Sequence, residues 1–196
     1  MSVSPAMAII DAYCATHRRM LALAERMNDE QISWCPTPDS HTIAFHLWHT
    51  ARWADHLQAA IPGMTVELGR LLGNRAQIWQ AQELAVAWRF PGDSLGFDAP
   101  GMHMPDELAR SLPFPAHATL LEYARQAFDA AEQAVRTIDD EQFVADEAPQ
   151  PLTAGIWQQG SRVGDAILAH MVHASRHLGA VEALYGCQVG SGTASV

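Results

Sequence analysis

Histidine is the residue type with an unusual distribution in this chain, because seven of the ten histidines fall within residues 41–56 and 170–177. In the second window, His170, His173 and His177 are spaced by three and four residues. An α-helix turns by about 100° per residue, so this spacing places the three imidazoles in one narrow stripe. Imidazoles one turn apart can bind a transition-metal ion when a second helix supplies another ligand.

The segment that contains these three histidines predicts the last helix of the protein, from Ile167 to Gly186. Its apolar residues recur at alternating steps of four and three, as in a helix that packs into a bundle core. They are Ile167, Met171, Ala174, Leu178, Val181 and Tyr185. The histidine stripe follows the edge of this apolar seam, so we expect the imidazoles to face a neighbouring helix.

A second helix with inward-facing histidines is predicted from Thr42 to Ala60. His49 lies near its middle, where a bundle core is best shielded from water. His46 lies one turn earlier and His56 two turns later. Pro62-Gly63 is expected to end this helix, because proline lacks the backbone N–H that a helix interior needs.

The rest of the chain predicts an all-α protein, because no segment has a convincing strand pattern. Helices are predicted from Pro5 to Asn28, from Val66 to Arg89 in two pieces, and from Ala116 to Ile138, with long loops at Phe90–His117 and Asp139–Gly160. Asp39 or Ser40 is expected to cap the second helix, and Ser161 the last one. Four long helices with apolar seams predict a four-helix bundle whose core can hold a metal site.

Composition limits the classes of function. A chain of 196 residues fits one domain, predicted over residues 1–187, with a flexible tail at 188–196. The net charge of −10 argues against nucleic acid as a partner, and no apolar run approaches the roughly 20 residues of a membrane span. Three widely spaced cysteines, Cys14, Cys35 and Cys187, do not form a disulfide framework and indicate a cytoplasmic protein. Whether any of them is reactive stays open.

Three interpretations of the histidines differ in chemistry. In the first, His49, His173 and His177 bind one metal ion and leave a fourth position open, as in catalytic sites. Zinc is the default metal for imidazole ligands, although nickel, iron and copper also suit them. In the second, a carboxylate-bridged pair of metals would need Glu-x-x-His motifs, which the sequence lacks. In the third, the histidines only form hydrogen bonds within the core.

Motifs in both histidine-rich segments resemble the DinB-like superfamily. The last helix has H-x-x-x-H-x-G at His173, His177 and Gly179, which is similar to that superfamily's H-x-x-x-H-R-G-Q signature. The segment TIAFHLWHTARWADHL and its lead-in WCPTPDSH resemble the superfamily's second helix. Leu178 and Ala180 stand where the signature has Arg and Gln. The resemblance implies a DinB-like four-helix bundle with long interhelical loops, in which His49, His173 and His177 are the metal ligands.

The resemblance also suggests an activity, because some members are bacillithiol S-transferases or the mycothiol-dependent maleylpyruvate isomerase. It implies a homodimeric, metal-dependent enzyme, with zinc or nickel, that transfers a low-molecular-weight thiol to a small electrophilic substrate. A metal ion with an open position lowers the pKa of a bound thiol, which suits that reaction. A hydrolase that uses metal-bound water is the enzymatic alternative. A non-catalytic metal-binding stress-response protein is the other alternative, with the open position closed by His46 or His170.

Catalytic residues beyond the ligands are not evident from the sequence. His46, His56 and His170 are candidates for a general base because they lie on the same helices as the ligands. Arg52 and Arg176 are candidates for binding a carboxylate of the thiol or of the substrate. In the loop at Phe90–His117, His103 is a further candidate for substrate contact. His17, on an apolar helix face, is expected to be a core histidine.

Overall fold

The structure is a computed structural model that describes residues 4–91, 101, 104–146 and 162–191. These residues form ten helices and no strand beyond one isolated bridge, so the all-α prediction is confirmed. The helices are α1 (Pro5–Ala24), α2 (Asp29–Ser33), α3 (Ile43–Met64), α4 (Val66–Leu72), α5 (Ile78–Ala81), α6 (Leu84–Ala87), α7 (Asp106–Ser111), α8 (His117–Val135), α9 (Asp140–Phe143) and α10 (Val163–Val189). None of these helices combines the length and the apolar character that a membrane crossing requires.

Helices α1, α3, α8 and α10 form the bundle, in which each helix packs against two others. Helix α3 lies between α8 and α10, and α1 contacts α8 and α10 on the other side. Small residues on α8, among them Ala124, Ala127 and Ala131, are fully buried and allow close approach of its neighbours. Helix α3 is buried around most of its circumference, so its polar side chains must find partners inside the protein.

Helix α3 begins and ends later than predicted. Its N-cap is Thr42, whose side-chain oxygen accepts a hydrogen bond from Phe45 N at 3.1 Å, so the expected cap at Asp39 or Ser40 is wrong. The helix also continues past Pro62 to Met64. Proline there removes one backbone hydrogen bond but falls in the last turn, where buried Met64 holds the chain against the core.

Two other predicted helices are broken in the structure. The first ends at Ala24 rather than Asn28, because Asn28 becomes the N-cap of α2 and forms a capping box with Gln31. The second piece of the segment from Val66 to Arg89 is divided into α5 and α6. Glu83 separates the two with a left-handed backbone conformation, φ 51°, which a helix cannot contain.

Helix α10 is longer than predicted at both ends. It starts at Val163 after Arg162, and the predicted cap Ser161 lies outside the described residues. It passes the predicted domain boundary at residue 187 and ends at Gly190, whose φ of 68° terminates the helix. Beyond that boundary, the Gln188 amide donates a hydrogen bond to Gln31 O at 2.9 Å and joins the end of α10 to α2.

Candidate metal centre

The packing of α3 against α10 brings three histidines together. His173 and His177 lie one turn apart on α10, and His49 lies opposite them on α3. His173 Nε2 lies 3.1 Å from His49 Nε2 and 3.1 Å from His177 Nε2. Among the described residues, this is the one group of His, Cys, Asp or Glu whose three ligand atoms all lie within 4.8 Å of one another.

The spacing of these nitrogens fits a single metal ion. Around a tetrahedral zinc ion with Zn–N bonds of about 2.0–2.1 Å, neighbouring nitrogens lie roughly 3.3 Å apart. The two 3.1 Å separations are close to that edge length, and the third pair of ligand atoms lies within 4.8 Å. The three helix-borne imidazoles therefore match the donor set of a divalent transition metal.

The protonation of these imidazoles also fits metal binding. Burial, helped by His170 and Arg176, lowers the pKa of His173 to about 4. Burial, His173 and Arg176 lower the pKa of His177 to about 3. Both imidazoles are therefore neutral at pH 7, with a lone pair free on one nitrogen, which is the form that a metal ion binds.

His46 contacts the opposite side of the His177 ring. Its Nδ1 lies 2.9 Å from His177 Nδ1, whereas the nitrogen of His177 that faces the cluster is Nε2. Burial, His177 and His41 lower the pKa of His46 to about 3, so His46 is neutral and can accept the Nδ1–H of His177. A ligand histidine commonly donates its second N–H to such a partner, which fixes the tautomer and the ring orientation. In this position His46 contacts the side of the His177 ring that faces away from the cluster, where it can orient a proposed ligand.

The surroundings of His49 include a contact that sequence analysis missed. Trp53 lies four residues later on α3, and its Nε1–H donates a hydrogen bond to His49 Nε2 at 3.2 Å. On the other side of the ring, Gly101 approaches so closely that a Cβ there would lie 3.2 Å from His49 Nδ1. The long loop predicted after α6 therefore reaches the cluster at Gly101, whereas His103 lies outside the described residues.

His56 and His170 lie beside Trp53 and outside the group of three ligands. The Nδ1–H of His170 donates a hydrogen bond to Ala166 O at 3.1 Å, and its ring packs against Trp53 with centroids 5.8 Å apart. His56 accepts a hydrogen bond from the Gln77 amide at 3.3 Å and packs on Trp53 at 5.9 Å. A role for either histidine as a base stays a prediction.

The two candidate arginines have different positions. Arg52 is 1% exposed and donates a hydrogen bond to Asp55 Oδ2 at 3.3 Å, so its guanidinium pairs with a carboxylate of the same chain. Tyr123 on α8 joins this pair, since its hydroxyl donates to Asp55 Oδ2 at 3.1 Å. Arg176 is exposed, and its charge lies close enough to lower the pKa of the ligand histidines. Of the two, Arg176 is the one whose side chain is exposed to solvent.

The cysteines and His17 lie apart from the cluster. Burial and Glu132 raise the pKa of Cys14 to about 11, so its thiol stays protonated at neutral pH. Cys35 is half-buried and Cys187 is exposed, and neither belongs to the group of three ligands. His17 is 3% exposed and stacks on Phe128 with ring centroids 4.0 Å apart, which confirms the prediction of a core histidine.

Comparisons with known proteins agree with this fold. The sequence profile of the DinB superfamily matches residues 12–181 of the chain. A solved structure of a conserved protein from Enterococcus faecalis superposes with a TM-score of 0.66 at 15% sequence identity. That alignment covers 97% of this chain and 100% of the other. No curated protein matches the chain.

Proposed function

This chain belongs to the DinB superfamily, and on that premise we propose that it is a metal-dependent enzyme with His49, His173 and His177 as the metal ligands. The observation that carries the proposal is the convergence of their three Nε2 atoms at the contact of α3 with α10. The bound ion would be divalent zinc or nickel, since both accept imidazole ligands. Three protein ligands leave a position for a molecule from solution, as a catalytic site requires.

When bound there, the metal ion lowers the pKa of a coordinated thiol or water and stabilises the anion that forms. The protein contributes orientation and charge. His46 accepts the Nδ1–H of His177 and keeps Nε2 of that ring directed at the cluster. Arg176 supplies positive charge at the exposed side, where a carboxylate of the thiol or the substrate would bind.

The proposed reaction is transfer of a low-molecular-weight thiol to a small electrophilic substrate. The superfamily resemblance supports thiol chemistry over hydrolysis. Enzyme function is favoured over a closed binding site because, among the described residues, no fourth His, Cys, Asp or Glu joins the three ligands. His46, one of the two candidates for a fourth ligand, contacts the other nitrogen of a proposed ligand ring.

The test has two stages. Elemental analysis of tag-free protein is expected to find about one transition metal per chain, and His173→Ala is expected to lose it. The metal-loaded protein is then incubated with an aryl halide and one thiol. Glutathione, bacillithiol and mycothiol are each tested in a separate reaction. We expect a thioether product by mass spectrometry, formed by the wild type and not by His173→Ala. His117→Ala is the matched control, because His117 bonds Ala24 O away from the cluster.

Other results of the assay would contradict the proposal in different ways. Ester or amide hydrolysis without any thiol would establish the hydrolase alternative. A bound metal without turnover on either substrate class would establish a non-catalytic metal-binding protein. Metal-free wild-type protein, even after dialysis against zinc and nickel, would remove the metal site and the catalytic interpretation together.

The setting that we propose for this enzyme is a homodimer in the cytoplasm. The superfamily resemblance supports the dimer, and so do Leu168 and Val172, two apolar side chains of α10 that lie one turn apart and are 41% and 47% exposed. Burial of such a pair against a second copy would remove apolar surface from water. Light scattering tests this: the wild type should have twice the chain mass, and Val172→Glu should shift the protein toward monomer.

A further inference from the structure

The indole N–H of Trp53 is a buried hydrogen-bond donor directed at the cluster. Trp53 is 1% exposed, and its Nε1–H donates to His49 Nε2 at 3.2 Å. Its ring also packs against His173, with centroids 5.6 Å apart. The same tryptophan therefore contacts two of the three proposed ligands, one on each helix.

This hydrogen bond is incompatible with metal binding by His49. The Nε2 atom of a neutral imidazole has one lone pair, and that lone pair cannot serve a metal ion and an N–H donor together. Among the described residues, His49 Nε2 is the acceptor of the Trp53 N–H. When a metal ion occupies this nitrogen, a buried donor loses its acceptor, which costs free energy unless another acceptor replaces it.

The replacement acceptor must lie beside the metal ligands, because the indole is fixed there by its packing between α3 and α10. Each ligand Nε2 is used in the same way and offers no lone pair. Within the part of the chain that the structure describes, the molecule from solution that takes the remaining coordination position is then the acceptor that we assign to this donor. An anion such as a thiolate or azide keeps further lone pairs after binding a metal, whereas a neutral imidazole does not.

We infer that Trp53 is a specificity-determining residue, which favours anionic over neutral ligands at the metal centre by donating its indole N–H to them. This inference rests on the proposed metal site and does not depend on the reaction. It also gives thiol substrates an advantage, since a thiol binds a metal ion as its anion. Hydrogen bonds to charged acceptors are about twice as strong as neutral ones, so the preference should be measurable.

The experiment uses cobalt-loaded protein, whose visible spectrum reports each new ligand. Wild type and Trp53→Phe are titrated with azide as the anionic probe and with imidazole as the neutral probe. We expect the dissociation constant of azide to rise by about tenfold in Trp53→Phe, which corresponds to the loss of one charge-assisted hydrogen bond. That of imidazole should change by less than about twofold. Trp88→Phe is the control, because Trp88 is 6% exposed and packs against Trp79, Phe90 and Tyr123.

Equal weakening of both probes would overturn the inference, because it would indicate a general disturbance of the site. Unchanged azide binding would overturn it as well.

A second measurement uses zinc-loaded wild-type protein and needs no variant. Azide should move one of the six indole N–H signals downfield in a proton–nitrogen correlation spectrum. If no indole signal moves while azide binds, the inference fails. Failure of wild-type protein to bind cobalt is a separate result, which would remove the proposed metal site itself.

Discussion

His46 and His177 face each other across the contact between α3 and α10, with their Nδ1 atoms 2.9 Å apart. A hydrogen bond at this distance needs a proton on one of the two nitrogens, and that nitrogen belongs to His177 when Nε2 of the same ring binds a metal ion. His46 therefore sets the tautomer of a proposed ligand. It was a candidate base in the sequence, and in the structure it is placed to orient a ligand.

Removal of this contact should weaken metal binding without abolishing it. His46→Ala is expected to lower zinc affinity by about 10- to 100-fold, the usual effect of losing the partner of a ligand histidine. Competition with a chromophoric chelator measures the affinity. His46→Gln, whose amide oxygen can also accept the Nδ1–H, should recover part of the loss. Unchanged affinity in His46→Ala would show that His177 is oriented by other contacts.

Two histidines on the same face of α10 should respond differently to substitution. His173→Ala removes the nitrogen that lies 3.1 Å from both other ligands, so metal binding should be lost at stoichiometric metal. His170→Ala removes a side chain that bonds Ala166 O, so about one metal per chain should remain. Elemental analysis after gel filtration distinguishes the two. Retention of metal by His173→Ala would contradict the ligand set.

His17 should make the stability of the metal-free protein dependent on pH. Burial first, and then His170 and Arg18, lower its pKa to about 3 from 6.5, which is close to its value in the unfolded chain. Between these two values the unfolded state binds more protons, so the free energy of unfolding falls as the pH falls below 6.5. Above 6.5 both states are neutral and the contribution is constant.

His17→Leu should remove this part of the acid sensitivity. At about pH 4.5, two units below the unfolded pKa, His17 costs wild type roughly 2–3 kcal/mol relative to neutral pH. Urea denaturation at pH 7 and at pH 4.5 should therefore show a smaller loss in the variant by about that amount. Histidines that do not interact with His17 titrate alike in both proteins, so the difference reports His17 together with its coupling to His170. Identical losses would show that His17 titrates normally in the folded protein.

Asp55 should be important for the stability of the bundle. Its carboxylate is fully buried and accepts hydrogen bonds from Arg52 and from the backbone N–H groups of Ile78 and Trp79, the latter two at 2.8 Å. Asp55→Ala leaves the buried Arg52 charge without this partner and should lower the free energy of unfolding by about 3–5 kcal/mol. Chemical denaturation measures the change.

An exposed ion pair provides the comparison for Asp55. Glu67 and Arg70 lie at the surface on α4 and are 2.6 Å apart at their closest atoms. Solvent screens such a pair, so Glu67→Ala should leave the denaturation midpoint unchanged. A loss in Asp55→Ala no larger than that in Glu67→Ala would show that the buried network adds nothing to stability.

Much of the scaffold could be predicted because its signals are local. Apolar residues at helical spacing indicated the four bundle helices, and the spacing of His173 and His177 placed their side chains on one face of α10 whatever surrounds it. The superfamily motif pointed to His49 on α3. Errors occurred where several local signals compete, as at Pro62 and Glu83, because burial and a single left-handed residue decided the outcome.

The sequence by itself determined the helical bundle and the residue types of a metal site, because helix periodicity and side-chain chemistry depend only on nearby residues. Tertiary structure alone decided which side chains of other helices the polar residues of α3 contact. The rotation and register of α3 against α8 and α10 direct His46 to His177, His49 to His173, and Asp55 to Tyr123. That alignment results from the packing of the whole core, and no local pattern contains it.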